Sequence, residues 1–345
     1  MTSIDRNRVD LAIVGGGILG HVTALRAAEQ VPDARIVLIE RDLPASGASA
    51  RSAGLHFPLG YRERVRAASS ASQRYYEDLV RAWPEVPIVP LGLRVHCDPV
   101  REPWLTSLFA PEARLARLEN APGIWTAQGA HRADVPALVR WLRRHLAGRV
   151  RFLDGVRVER VAGAGEGVAI VMADGARLDA AGAVLAPGPW ALDGPFRSLT
   201  EGTGLRIKRV AAFHVEAPVD AASGSIDLFM GDDAFLMPRA DGLGYLFSFT
   251  RTKWDVDPDA AARGLDAGDR AEAEAVLART APHLAGRLGG GQVFCDAYGP
   301  AREPIVIRAD TGDRIVFAGA ANGSGYRLAP AMADEALRLL SFAPD

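Results

Sequence analysis

Four residues near the start of the chain have the types and the spacing that a pyrophosphate requires. They are Gly15, Gly17 and Gly20, within the run Gly15-Gly16-Gly17-Ile18-Leu19-Gly20, and Glu40, twenty residues beyond the last glycine. Gly15 permits a tight turn, Gly17 lets the backbone come close to a phosphate, and Gly20 lets a helix pack against a strand. Ile18 and Leu19 fall where an opening helix offers unpaired amides and a partial positive charge to an anion. Glu40 can accept hydrogen bonds from the hydroxyls of an adenosine ribose. The expected ligand is a dinucleotide.

That chemistry works only if regular elements hold it in place, and the flanking sequence predicts them. Val9–Val14 is an apolar run of strand type, His21–Gln30 has a helical pattern, and Arg35–Ile39 reads as a second strand ending at Glu40. Further on, Val150–Arg160, Val168–Met172 and Arg177–Asp179 read as strands, with hairpin turns at Gly163–Gly167 and Asp174-Gly175. Ala183–Leu185 is an apolar strand running into the small-residue turn Ala186-Pro187-Gly188-Pro189-Trp190-Ala191. Gly286–Gly291 reads as a flexible approach to a strand. Arg314–Ala318 is a strand, and Ala331–Leu340 is a closing helix. No internal repeat is present.

With these pieces in order, the sequence resembles the D-amino-acid oxidase-like superfamily of FAD enzymes, which includes glycine oxidase, monomeric sarcosine oxidase and D-arginine dehydrogenase. The resemblance runs over nearly the whole chain. It rests on GGGILG with Glu40-Arg41, SGASARSAGL at 46–55, GVRVERV at 155–161, VLAPGPWA, FLMPRADGLGYLFSF at 235–249 and GSGYRLAPAMADEAL at 323–337. It implies an α/β (α+β) two-domain fold, with a Rossmann-like FAD-binding domain and an interleaved mixed-sheet substrate domain. The FAD domain would gather residues 1–85, 130–205 and 295–345, and the substrate domain 86–129 and 206–294. By position, Arg41, Pro187, Gly188 and Trp190 would border the cofactor, and Val156 would meet adenine through its backbone. Ser49, Arg51, Ser52, Gly54 and Leu55 would line the pyrophosphate and flavin. Gly323, Gly325, Tyr326, Arg327 and Leu328 would face the pyrimidine edge of the ring, where a helix N-terminus stabilises the charge of a reduced flavin.

The same comparison nominates substrate contacts. Arg327 falls where sarcosine oxidase-like enzymes carry a lysine that holds the substrate carboxylate, and arginine suits a carboxylate through paired hydrogen bonds. Its alternative is a contact with flavin or a surface acid. Gly323 occupies the position of the carboxylate-binding arginine of glycine oxidase, a departure that keeps an amine without carboxylate in play. His56 is expected near the flavin face as a hydrogen-bonding group or local base. Tyr61, Tyr245 and Tyr298 are candidates for an aromatic cage around a small amine, with core packing as the alternative for each. Arg239 is read as structural. FAD is expected to be held non-covalently, the alternative being a link to Cys295, at or next to the flavin-linked cysteine of sarcosine oxidase-like enzymes. Lys253 is a candidate for assisting oxygen, although the family's oxygen-activating lysine falls at Leu246. Asp232, Asp233, Asp255, Asp257 and Asp259 are read as loop acids, and no metal is expected.

The bulk of the sequence narrows the remaining classes. A net charge of -2 gives no reason to expect nucleic acid or an anionic membrane as partner. Only Lys208 and Lys253 are lysines among 40 basic residues, a compositional bias towards arginine. Cys97 and Cys295 lack disulfide or metal spacing. Residues 1–10 hold no secretory signal and no run reaches the ~18 apolar residues of a membrane span, so the cytoplasm is the expected location. The expected reaction takes a hydride from the α-carbon of a small amine or amino acid to flavin N5, giving an imine, with oxygen or another acceptor taking the electrons. The alternatives are oxidation of a 2-hydroxy acid and a flavin-holding subunit without its own substrate; an NAD-dependent imine reductase is the remaining one.

Overall fold

The computed structural model describes residues 8–219, 224–260 and 264–342. Residues 1–7, most of the segment read as free of a secretory signal, lie outside them.

The N-terminal strand β1 (Arg8–Val14) is apolar from Leu11 to Val14 because both of its faces are covered there. Leu11 and Ile13 point into one core, Ala12 and Val14 into another. It pairs in parallel with β2 (Ile36–Ile39) on one side and β12 (Arg177–Leu185) on the other. The sheet continues from β2 to β9 (Val150–Leu153), and from β12 to the hairpin β10 (Val158–Ala164) and β11 (Gly167–Met172). The end of β12 also pairs with β19 (Ile315–Gly319), which carries β18 (Ile305–Arg308). The predicted Arg177–Asp179 and Ala183–Leu185 strands are therefore one strand, whereas Val150–Arg160 is two, parted at Asp154–Arg157.

Helices α1 (Ile18–Gln30), α2 (Glu63–Ala82), α4 (Val135–His145) and α7 (Gly325–Leu339) build the first core over this sheet; α3 is Glu102–Leu108 and α5 is Gly194–Thr200. Each fully buried aliphatic residue there, such as Leu25 or Leu337, contributes about 1.5–3 kcal/mol. The final helix starts six residues earlier than the sequence predicts and runs through Pro330. Proline has no N–H to give the carbonyl four residues back, Tyr326 O. That carbonyl instead accepts from the Tyr76 hydroxyl of α2 at 2.7 Å. A contact between distant segments thus keeps the helix opening at Gly325.

A second sheet has the order β17-β13-β16-β15-β14-β5-β7-β6. Its strands are β17 (Leu288–Tyr298), β13 (Arg206–Val215), β16 (Tyr245–Phe249), β15 (Ala234–Pro238), β14 (Ser225–Phe229), β5 (Gly92–His96), β7 (Ile124–Ala127) and β6 (Ala116–Arg117). One face packs on α6 (Ala267–Thr280) through Phe213, Phe247, Val276 and Leu277. A small sheet of β3 (Leu55–His56), β8 (His131–Ala133) and β4 (Ile88–Pro90) adjoins both layers. Gly289–Gly291 belong to β17 instead of a flexible approach, and a Cβ on Gly291 would fall 2.3 Å from Ala212 O. The sequence boundary at 294–295 cuts through β17, which is one continuous strand.

Candidate active site

Three neighbouring cavities run from the first glycine turn to the second sheet. The first, about 810 Å³, opens at the C-terminal ends of β1, β2 and β12 and is lined by Gly15, Gly17, Glu40, Arg41, Val156 and Trp190 among others. Gly15 has φ +116°, and a Cβ on it would lie 2.2 Å from Ala186 O. Glu40 accepts from Gly16 N at 2.7 Å and Asp42 N at 2.8 Å, so its carboxylate is fixed at the rim. The Arg41 guanidinium lies 3.8 Å over the Trp190 ring, and both donate to Asp259. That acid, read as a loop residue, braces the cavity wall.

The second cavity, about 1,230 Å³, shares Ala48 and Ser49 with the first and passes between the N-termini of α1 and α7. Ile18, Arg51, Ser52, Gly323, Gly325, Tyr326, Arg327, Asp296 and Tyr298 line it. Ser49 Oγ accepts from Ile18 N at 2.9 Å, occupying an amide at the opening of α1. The third cavity, about 1,550 Å³, shares Arg327, Asp233, Thr250 and Tyr298 with the second and adds Tyr61, Lys208, Trp254, Arg302 and Leu328.

Arg327 stands where the second and third cavities meet. Its Nη2 donates to Ser324 Oγ and its Cζ lies 4.8 Å over the Phe57 ring, but Nε and Nη1 are buried without a hydrogen-bond partner among the described residues. Burial lowers its pKa to about 10, which still leaves a cation at neutral pH. A buried guanidinium with idle donors is costly unless an anion joins it.

The family model described as FAD dependent oxidoreductase (DAO) matches residues 10–339. The chain belongs to that family. No curated protein matches it in sequence. Among solved structures it is similar to glycine oxidase from Geobacillus kaustophilus, at 18% identity and TM-score 0.79, covering 98% of this chain and 96% of that one. It is also similar to the L-alpha-glycerophosphate oxidase of Mycoplasma pneumoniae with FAD bound (16%, TM-score 0.78, 97% and 95%). A third is the L-amino acid deaminase of Proteus vulgaris with its specific insertion deleted (15%, TM-score 0.74, 100% and 92%). At these identities the likeness is one of fold.

The residues present fit the family's FAD. The positive end of α1, the fixed Glu40 carboxylate and the glycine approach suit an adenosine diphosphate, and the second cavity leads on from it between two helix N-termini. Not every expected residue opens onto these cavities. Leu19 packs into the first core, and Leu55 packs against the core beside the second sheet. Gly20 and Gly54 act by close approach: Cβ atoms there would lie 1.9 Å from Gly15 O and 2.0 Å from Ala133 O. Pro187, Gly188 and Val156 line the first cavity, but Val156 N already donates to Glu40 O at 2.9 Å and is closed to a base.

His56 is a correction. Strand alternation in β3 turns it away from the cavity and presents Phe57 instead. It is fully buried, stacked on His131 with ring centres 4.5 Å apart. Burial, then the nearby His131 and Arg327, holds it well below the ordinary histidine range, and burial lowers His131 to about 4. Both rings are neutral in the fold, whereas the unfolded chain would protonate them near pH 6.5. The unfolded state therefore binds more protons in this window, and stability should fall as the pH drops from about 6.5 towards 4. The slope is at most about 1.4 kcal/mol per pH unit for each ring. Melting curves at pH 7 and pH 5 test this, and the difference should shrink in His131→Phe; an undiminished difference would refute the assignment.

Tyr245, expected in a cage, reaches from β16 towards Pro218 O at 3.5 Å and lines none of the three cavities. Lys253 is half-exposed and pairs with Asp266 at 3.6 Å, on the outside of the sheet. Cys295 points into the core behind the first sheet, where burial raises its thiol to about 11. Its neighbour Asp296 faces the second cavity instead, and burial raises that carboxyl to about 6. Arg239 pairs with Asp241 and lines no cavity. Sequence reasoning missed Lys208 and Asp296. The alternation of β13 and β17 held the signal, but only the strand register shows which face is which.

Proposed function

We propose that this FAD dependent oxidoreductase oxidises the C–N bond of a small amino acid to an imine. The observation that carries this reading is Arg327, whose idle Nε and Nη1 await an anion at the meeting point of two cavities. A substrate carboxylate held there gains charge-assisted hydrogen bonds and orients the α-carbon towards the second cavity. FAD, when bound in the first and second cavities, supplies the hydride acceptor at flavin N5. Phe57, Phe235 and Tyr298 wall the second cavity and exclude water from the reacting carbon. The amine reacts as the free base, because its lone pair must be available to the forming C=N bond.

The test is an anaerobic screen in which loss of flavin absorbance reports reduction. D- and L-amino acids, N-methylated amino acids and simple amines form one arm, and 2-hydroxy acids and glycerol phosphate the other. Bleaching by a carboxylated amine is the expected result. Bleaching by the second arm alone would replace the amine with an alcohol, and no bleaching by any compound would leave a flavin-holding subunit.

A further inference from the structure

Lys208 is an unusual lysine. It lies on β13, which alternates so that Arg209 faces α6, pairing with Asp269 at 2.5 Å, while Lys208 faces the third cavity. It is 6% exposed. Its Nζ donates to Thr250 Oγ1 at 2.5 Å and stands 5.0 Å from the Trp254 ring centre and 4.9 Å from that of Tyr298. Rings and a hydroxyl steady an ammonium, but none of them cancels its charge. No ion pair to Lys208 occurs among the described residues.

The surrounding charges do not supply the missing anion. Of the other charged residues lining this cavity, Arg251 is engaged by Asp269 and Glu272, and Asp232 by Arg279. That leaves Lys208, Arg302 and Arg327 facing Asp233, which is exposed at the cavity mouth. Three cations against one acid make a cavity whose occupant carries more than one negative charge. Arg302 leans on the Tyr61 ring at 4.7 Å near the surface, so the buried cations are Arg327 and Lys208.

We infer that the substrate bears two anionic groups, an α-carboxylate at Arg327 and a second oxyanion, carboxylate or phosphate, at Lys208. The inference rests on the amino-acid reading above and narrows it to acidic substrates. Arg327 and Lys208 lie on different elements, α7 and β13, and share one cavity, so they grip opposite ends of one molecule. Burial lowers the pKa of Lys208, and an anion beside it would oppose that shift by favouring the ammonium.

The experiment uses unreactive ligands and the flavin absorbance shift of the holoenzyme, so it does not depend on turnover. Succinate and 3-phosphonopropionate are titrated against butyrate. The expected result is that at least one dianion binds tenfold or more tightly than butyrate, in line with the ~10- to 150-fold worth of a hydrogen bond to a charged group. Tighter binding of succinate identifies a second carboxylate, and tighter binding of 3-phosphonopropionate a phosphate. In Lys208→Met that preference should fall to about one, and in Lys208→Arg it should largely return. If butyrate binds as well as both dianions to the wild-type protein, or if Lys208→Met keeps the preference, the inference fails. Arg327→Leu separates this from failure of the underlying reading: if it leaves butyrate binding unweakened, the carboxylate anchor itself is wrong.

Discussion

Arg327→Leu should lower kcat/KM for carboxylated substrates by ~30- to 5,000-fold, the range for removing one partner of a buried, hydrogen-bonded charge pair. The residue is well placed for so large an effect. Its Nε and Nη1 have no hydrogen-bond partner among the described residues, so most of what they can offer goes to a ligand. Leucine keeps an apolar stem and removes the guanidinium together with its contact over Phe57. Flavin content should stay near that of the wild type, because the first cavity and the opening of α1 are untouched. Stopped-flow reduction with the best substrate of the anaerobic screen gives the number. A loss below about threefold would show that Arg327 does not hold the substrate.

Gly20→Ala should yield protein without bound flavin. The added Cβ would lie 1.9 Å from the carbonyl oxygen of Gly15, and both belong to backbone that cannot swing aside. Either α1 moves off the sheet or the turn of Gly15 opens, and each removes amides from the phosphate site. Overpacking costs about 1–3 kcal/mol or more on top of the lost cofactor. Gly175→Ala is the comparison: φ there is +84° and nothing stands within 4 Å, so it meets only the strain of a left-handed turn, about 1–2 kcal/mol. That variant should keep its flavin. The flavin-to-protein absorbance ratio and the unfolding midpoint decide, and a yellow Gly20→Ala protein would contradict the packing described.

The phosphate-binding turn was legible because its constraints are local. Gly15, Gly17, Gly20 and Glu40 are joined by one strand, one helix and one further strand, and each has its own steric or hydrogen-bonding reason. The strands of the first sheet were legible for a similar reason, since burial on both faces leaves long apolar runs. What stayed hidden turns on phase. His56 and Phe57 are adjacent, as are Cys295 and Asp296, and a shift of one residue exchanges the face each presents. Nothing in the composition of Leu55–Phe57 says which ring meets the cavity. The start of α7 was hidden too, because the proline rule is sound and its exception depends on Tyr76, some 250 residues away. Lys208 looked ordinary in a list of basic residues; only the wall it joins makes it notable.

The order in which the chain visits its two large sheets has a consequence for inheritance. Strands of the first come from 8–39, 150–185 and 305–319, and those of the second from 92–127 and 206–298. No single breakpoint in the gene divides the first sheet, with its glycine turn, from the second sheet, which walls the cation-lined cavity. A new specificity cannot be acquired here by recombining one module. It has to arise by replacements scattered along the coding sequence, each tested while the rest of the machine keeps working.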